Sequence, residues 1–587
     1  MEKKKELDLV VLSKLLRLTK PYRGLFVLCL FIAIIMAPIS NVRPFLIERM
    51  VDDHIFKGDI SGLKSIALLY LGIVLVNVVI RYIFIYYSAK LGQSVVKDLR
   101  IKTFDHITSL RLRYFDQTPI GKLTTRTISD VQAVNDVFSQ GILTLLADVL
   151  GIFAIIGFML LTSWRLTLIC LVTLPLMIIA TYIFKEKVKV AFQNVRNEIS
   201  AMNAFLQEQI SGMQVVQMFA AEKQEAQKFK NINRKYTQAN LNAVEYYAIF
   251  FPVVELISAI ALGLLVWWGS KGIWNNTISV GAFVAFPMYL NMLFRPVRML
   301  ADKLNVLQMG IVAGGRVFDV IENNEKIEDE GTLVVDKLEG KLEFDNVWFA
   351  YDEENDVLKD VTFTVQPGDT MAIVGSTGSG KTTIINILNR FYEIQKGSIK
   401  IDNVDLKTYD TDNLRKRVAM VLQDVFLFDG TIFENMALRD ASISMEDVVA
   451  ASKTIGAHPY IDCLPGGYNF KITERGSNLS MGQRQLISFV RALVFDPDIL
   501  ILDEATSSID SETESIIQYA IEKLIQKRTS IIIAHRLSTI KHADNILVLD
   551  KGQVKEQGNH KALVNKPNGA YRELYEKQFV KAESPAI

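Results

Sequence analysis

The sequence predicts a six-helix transmembrane domain, all-α with long helices extending into the cytoplasm, fused to an α/β P-loop domain. Three observations carry this. Long apolar runs such as "LFVLCLFIAIIMAPIS" and "LISAIALGLLVWWG" are confined to roughly the first 300 residues. Beyond them, charged and turn-forming residues recur every few positions and β-branched strands alternate with helical patterns. A Gly-rich turn, "GSTGSGKTT", follows an apolar strand and opens a helix.

At 587 residues the chain exceeds what one hydrophobic core supports. We divide it into an N-terminal cytoplasmic or interfacial helix (1–20), a membrane domain (21–322), a linker (323–340) and the α/β domain (341–587). Lys and Arg number 65 against 64 Asp and Glu, which leaves no basic footprint and argues against nucleic acid as a partner. The three cysteines, Cys29, Cys170 and Cys463, form neither a disulfide framework nor a zinc spacing.

About 20 mostly apolar residues cross the hydrocarbon layer. Six stretches qualify, at roughly 25–47, 65–87, 141–162, 165–185, 246–269 and 278–299. The basic start "MEKKKELDL" is read as an uncleaved cytoplasmic segment, because five more spans follow the first and no small-residue cleavage site ends it. Residues 10–20 interleave Leu with Lys14, Arg17 and Lys20, a pattern suited to the headgroup layer. The connections after spans two and four are long, helical in spacing and rich in Lys and Arg, so the positive-inside rule places them in the cytoplasm. Arg43, Arg81, Asp148, Glu255 and Arg295 fall in or near spans, where charge is costly and marks cavities or bundle interiors. Glu255, with no basic neighbour in its span, is the candidate for meeting a cationic ligand; the alternative is a carboxylate paired or wetted at the surface. Trp164, Trp267, Trp268 and Trp274 fit an interfacial aromatic belt.

In the second half, "MAIVGSTGSGKTTIINIL" offers the backbone amides of Gly375, Ser376, Thr377, Gly378, Ser379 and Gly380 to phosphates. Glycine permits close approach there, and the helix dipole favours anions. Lys381 reaches β- and γ-phosphates, the Thr382 hydroxyl suits magnesium, and Thr383 follows on the helix. In "ILILDEATSSID", Asp503 ends a buried strand as a magnesium partner and Glu504 is placed to polarise water. His535, after "SIIIA", is a candidate γ-phosphate sensor.

Together "GSTGSGKTT", "LSMGQ", "ILILDEATSSID", "IIIAHRLSTI" and "YFDQTPIGKLTTRTISDV", behind six spans, resemble an ATP-binding cassette exporter half-transporter, one subunit of the heterodimeric multidrug kind. The resemblance implies ATP and Mg2+ as cofactors and ATP hydrolysis driving export of amphipathic or lipophilic small molecules by alternating access. It implies that Tyr351 stacks on adenine, that Gln423 links magnesium to the membrane domain and that Asp510 faces the partner cassette. Glu474 and Arg475 match the loop that meets the membrane helices, and the partner's ATP sits against Ser480, Met481, Gly482 and Gln483. The family pattern has glycine where this chain has Met481. Its side chain either points away harmlessly or weakens the signature, and the weakened reading pairs this chain with a different half-transporter lacking the catalytic glutamate, ahead of a homodimer. The implied location is a bacterial plasma membrane, with both termini and the nucleotide-binding domain cytoplasmic. Lipid flipping, peptide export and a nucleotide-gated channel are the rival functions.

Overall fold

The computed structural model describes residues 8–326, 331–352, 355–503, 511–534 and 537–576. The chain separates into two compact units. One combines Met1–Ser109 with Thr118–Asn324, and the other combines Leu110–Gln117 with Glu325–Ile587.

The first unit is all helical, and six of its helical stretches are long and apolar enough to cross a membrane. The stretch taken as one span at 25–47 consists of two helices, Arg23–Asn41 and Arg43–Arg49, that meet at Val42. Pro44, which has no N–H to give, starts the second helix at a position where none is needed. Helices Ile60–Thr108 and Trp164–Ser211 have 49 and 48 residues, and Glu222–Trp274 has 53. At 1.5 Å per residue the first is roughly 74 Å long, more than twice the hydrocarbon thickness of about 30 Å. The polar sequence following the spans at 65–87 and 165–185, and that preceding the span at 246–269, is therefore part of the same helix as its span.

Trp164–Ser211 and Glu222–Trp274 pack along each other, with Phe184 stacked on Phe250 at 3.9 Å. Buried Cys170, Met177, Val254 and Leu265 pack in the same core as Phe286 and Leu293 of Val280–Ile321. Two ion pairs tie that last helix to the stretch Ile120–Thr162. Arg316 grips the buried carboxylate of Asp130 with both Nε (2.8 Å) and a terminal nitrogen, and Lys303 meets Asp148. A bidentate guanidinium offsets much of the desolvation of a buried carboxylate. Asp148, one of the intramembrane charges noted in the sequence, is thus a paired group. The short helix Leu9–Arg17 is capped by Asp8, which accepts from the amides of Val10 and Val11. Its Leu15 is fully buried beside Gly314, and Lys14 pairs with Glu322 at 2.6 Å.

In the second unit a six-stranded sheet runs in the order Gln553–Gly558, Asn545–Asp550, Thr370–Val374, Thr529–Ile533, Ile499–Asp503 and Val418–Val421. All its pairings are parallel except that of the first strand. Near-continuous apolar strands such as "ILIL" and "SIII" fit a sheet covered on both faces. A four-stranded antiparallel sheet, in the order Asp356–Val365, Leu342–Ala350, Lys396–Ile401 and Val404–Asp405, packs in one core with it through Phe344, Phe363, Ile373 and Ile531. The segment Leu110–Gln117 belongs to this unit. Leu110 pairs with Lys326, and Arg111 donates from its amide to Glu325 O (3.0 Å) and from Nε to Lys326 O (2.6 Å).

Candidate nucleotide site

Register in the parallel sheet decides where the predicted residues meet. Ile533 lies opposite both Ile373 and Asp503, and Val421 lies opposite Leu502. The carboxyl ends of four strands therefore open on one edge, the usual position of ligand sites in such sheets. From that edge leave the loop Gly375–Gly380, Asp503 and the segment carrying Gln423. Glu504, Asp510 and His535 lie outside the described residues; the last described residues before Glu504 and His535 are Asp503 and Ala534 on this same edge.

The loop is shaped by its glycines. Gly378 has φ +80° and Gly380 φ +104°, conformations that side chains rarely adopt, and a Cβ on Gly375 would fall 2.1 Å from Leu549 O. Among the described residues nothing lies within 4 Å of where a Cβ of Gly378 would be. Ser379 has a buried hydroxyl without a hydrogen-bond partner among the described residues. A glycine-shaped loop of amides beside a buried hydroxyl without a partner among the described residues suits an anion rich in acceptor oxygens, as a triphosphate is.

Lys381 begins the helix Lys381–Leu388 and folds back, its ammonium 2.9 Å from the carbonyl oxygens of both Gly375 and Ser376. Burial pushes this ammonium below its usual range, and the nearby Asp503 pulls the other way. Thr382 is exposed and Thr383 is buried. Thr383 Oγ1 shares a hydrogen bond with the hydroxyl of Tyr351 (3.2 Å), which Asn386 also approaches at 3.4 Å. Thr382 and Asp503 are the oxygen donors that fit a hard divalent cation, and Gln423, exposed on its own strand exit, adds an amide oxygen.

The signature segment forms a second anion-ready surface. Ser480 caps the helix Met481–Val494, and Gln483 returns its side chain to the Ser480 amide. Met481 and Gly482 are the first two helical residues, whose N–H groups lack intrahelical acceptors. Met481 is 37% exposed. A cavity of about 270 Å3 is lined by Met481 together with Gln423, Arg475 and Arg484, so segments predicted separately from sequence share one surface. Arg475 stands at φ +57°, and the adjoining Gly476 is buried. Glu255 is exposed on its membrane helix and makes no ion pair or hydrogen bond among the described residues. The sequence reading did not single out Arg484, which lines the same cavity as Met481.

Residues 25–297 match the family described as ABC transporter transmembrane region, and residues 358–507 match that described as ABC transporter. An uncharacterized ABC transporter ATP-binding protein of Bacillus subtilis, YknV, is 39% identical over 570 residues, covering 96% of this chain and 94% of its own. A probable multidrug resistance ABC transporter ATP-binding/permease protein of the same organism, YheH, is 36% identical over 91% of this chain and 80% of its own. An ATP-dependent lipid A-core flippase of Desulfotalea psychrophila is 34% identical over 95% and 97%. The chain belongs to the ABC transporters, as an exporter half-transporter with membrane region and ATP-binding cassette in one polypeptide. It is a multi-pass membrane protein that couples ATP hydrolysis to transport.

Proposed function

We propose that this half-transporter exports amphipathic or lipophilic small molecules, lipophilic cations among them, from the cytoplasm. The observation that carries this reading is Glu255, a carboxylate exposed on a membrane helix with no partner among the described residues; a charge kept at that depth needs a function or a partner. Relatives named for multidrug resistance or multidrug export support it. A second reading, lipid flipping, is favoured by relatives of 33–34% identity named as lipid A-core flippases. The two separate in proteoliposomes. Export predicts ATP-dependent accumulation of ethidium that Glu255→Gln weakens. ATP-dependent movement of a fluorescent lipid between leaflets, without ethidium transport, would refute it.

At the site, Gly375–Gly380 and Lys381 hold the phosphates, and Tyr351 stacks on the base. Thr382, Gln423 and Asp503 hold Mg2+, which when bound neutralises developing charge on the phosphates. Glu504 takes a proton from the attacking water while His535 orients the γ-phosphate side. Ser480, Met481, Gly482 and Gln483 face a nucleotide held by the partner subunit, and Asp510 serves the contact with the partner cassette. Because Met481 replaces the bare backbone of the family pattern, we assign the partner as a different half-transporter, with an intact signature and a degenerate catalytic residue. The domain limits are those drawn from sequence, at 20/21, 322/323 and 340/341, in a bacterial plasma membrane with the cassette cytoplasmic. Copurification of an untagged, different subunit is the expected result; a functional assembly of this chain alone would overturn the heterodimer.

A further inference from the structure

One face of the membrane helix Glu222–Trp274 is left uncovered by the described residues. Phe250, Val254, Ala261 and Leu265 are buried in the core shared with Trp164–Ser211 and Val280–Ile321. Round the helix from them, at steps of three or four residues, Phe251, Glu255, Ala259, Leu262, Val266 and Ser270 are all exposed. That spacing keeps them in one stripe along a helix of 3.6 residues per turn. The chemistry of the stripe changes along its length. Before Glu255 it is aromatic: the Tyr247 ring lies 6.1 Å from Phe251 and 5.0 Å from Phe184 of the neighbouring helix, centroid to centroid. After Glu255 it is apolar and indented.

The indentation is a groove of about 510 Å3 lined by Ala259, Leu262, Gly263, Val266, Trp267 and Ser270, a volume typical of small-molecule sites. The Ser270 hydroxyl is satisfied within its own helix, donating to Val266 O at 2.7 Å, so the groove is left largely hydrocarbon. Among the described residues nothing lies within 4 Å of where a Cβ of Gly263 would be; a side chain there would project into open space. A carboxylate at one end and an apolar groove at the other match an ion with a charged head and one alkyl tail. In the orientation proposed above, with the cassette cytoplasmic, Glu255 lies toward the cytoplasmic end of the stripe and the groove toward the outer end. An amphipath of the cytoplasmic leaflet stands the same way, head toward the cytoplasm and tail toward the bilayer centre.

We propose that this stripe is a two-part site for single-tailed amphipathic cations: Glu255 and the Phe251 ring take the cationic head, and the groove from Ala259 to Ser270 takes the alkyl tail. This rests on the reading of Glu255 given above and adds to it a determinant of tail shape. Phe251 and Glu255, four residues apart, are neighbours on a helix surface, so one cation meets the ring and the carboxylate together, a combination suited to quaternary ammonium. Charge complementarity argues for this occupant over bare lipid, whose tails would leave the carboxylate facing hydrocarbon at high cost. A tail passing from lipid into the groove exchanges one apolar surrounding for another, and packing alone distinguishes the two. Selectivity for the tail therefore depends on the hollow at Gly263.

The test uses the purified assembly in inside-out proteoliposomes and two permanent cations: dodecyltrimethylammonium, which carries a tail, and ethidium, which does not. Gly263→Leu fills the groove from a position open among the described residues, and it replaces a glycine inside a helix by a better helix former. It should raise the half-saturating concentration for dodecyltrimethylammonium export about tenfold relative to that for ethidium, the low end of misfit in an apolar pocket. Ala259→Leu should shift the same ratio in the same direction. An unchanged ratio in Gly263→Leu overturns the proposal. So does loss of the assembly in that variant on size-exclusion chromatography, which would make the stripe a contact between subunits. Glu255→Gln tests the underlying reading separately, because it should weaken export of both cations. Export of both at parental strength removes that reading and the head contact with it, and the ratio in Gly263→Leu still decides whether the groove holds a tail.

Discussion

Ser480 and Gln483 cap each other: the Gln483 amide donates to Ser480 Oγ at 3.2 Å, and the Ser480 amide donates to Gln483 Oε1 at 2.9 Å. The reciprocal cap fixes a regular helix start around Met481. Whatever the methionine does to a phosphate it does through its side chain, because the backbone is already that of an ordinary helix N-terminus.

Met481→Gly should therefore raise ATP turnover of the assembly by about tenfold, a modest fraction of what a well-placed amide donor contributes to charge stabilisation. The helix should lose at most about 1 kcal/mol from the added backbone freedom. Phosphate release on the purified complex measures this. Unchanged turnover would mean the side chain is tolerated, and the case for an unlike partner would go with it.

Two substitutions at the other site should part binding from chemistry. Glu504→Gln should keep nucleotide affinity and lower turnover by roughly hundreds-fold, the scale of a positioned general base. Lys381→Ala should instead weaken binding, and it should also reduce stability, because the carbonyls of Gly375 and Ser376 lose their shared donor. A binding isotherm beside a turnover assay separates them, and normal turnover in Glu504→Gln would refute the base assignment.

Glu556 is expected to make the cassette acid-sensitive. Burial alone would raise its carboxyl, but donation from the Tyr571 amide (2.9 Å), Lys566 (3.0 Å) and the Ala570 amide brings it below the usual range. With the folded value depressed, its stabilisation is present above the unfolded carboxyl value of about 4.3 and is lost as pH falls through the folded one. At pH 7, Glu556→Gln should cost about 1.5–3 kcal/mol, the worth of a charged hydrogen bond. Unfolding curves at pH 7 and below 4 should show that gap closing; a constant gap would count against the ionised carboxylate.

Removing one member of the pair Asp148 and Lys303 should hurt more than removing both. Asp148→Asn leaves an ammonium without its counter-charge at membrane depth and should destabilise by about 3 kcal/mol. Adding Lys303→Met should recover most of that. Thermal unfolding in detergent of the two singles and the double reads the cycle, and additive losses would mean the pair contributes nothing as a pair.

Local chemistry was legible in the sequence, and long-range pairing was not. Gly378 and Gly380 advertised a loop that needs left-handed backbone, and "ILILD" advertised a buried strand ending in a carboxylate; both are properties of contiguous residues. The departure at Met481 could be seen as a break in a short motif, although not its half-exposed position. By contrast Asp130 with Arg316, and Asp116 with Tyr392, lie 186 and 276 residues apart. Hydropathy and periodicity say which face of a helix is apolar and nothing about which charge on another helix it meets. Glu255 and Asp148 looked alike in the sequence for this reason, yet one is exposed and the other is matched by Lys303.

The unbroken helix from Ile60 to Thr108 gives the machine a mechanical advantage. A stiff rod roughly 74 Å long that tilts by about 10° carries its far end through roughly 13 Å. A displacement of a few ångströms close to a fulcrum on that rod is thus magnified several times at its far tip, more than a hydrocarbon thickness away.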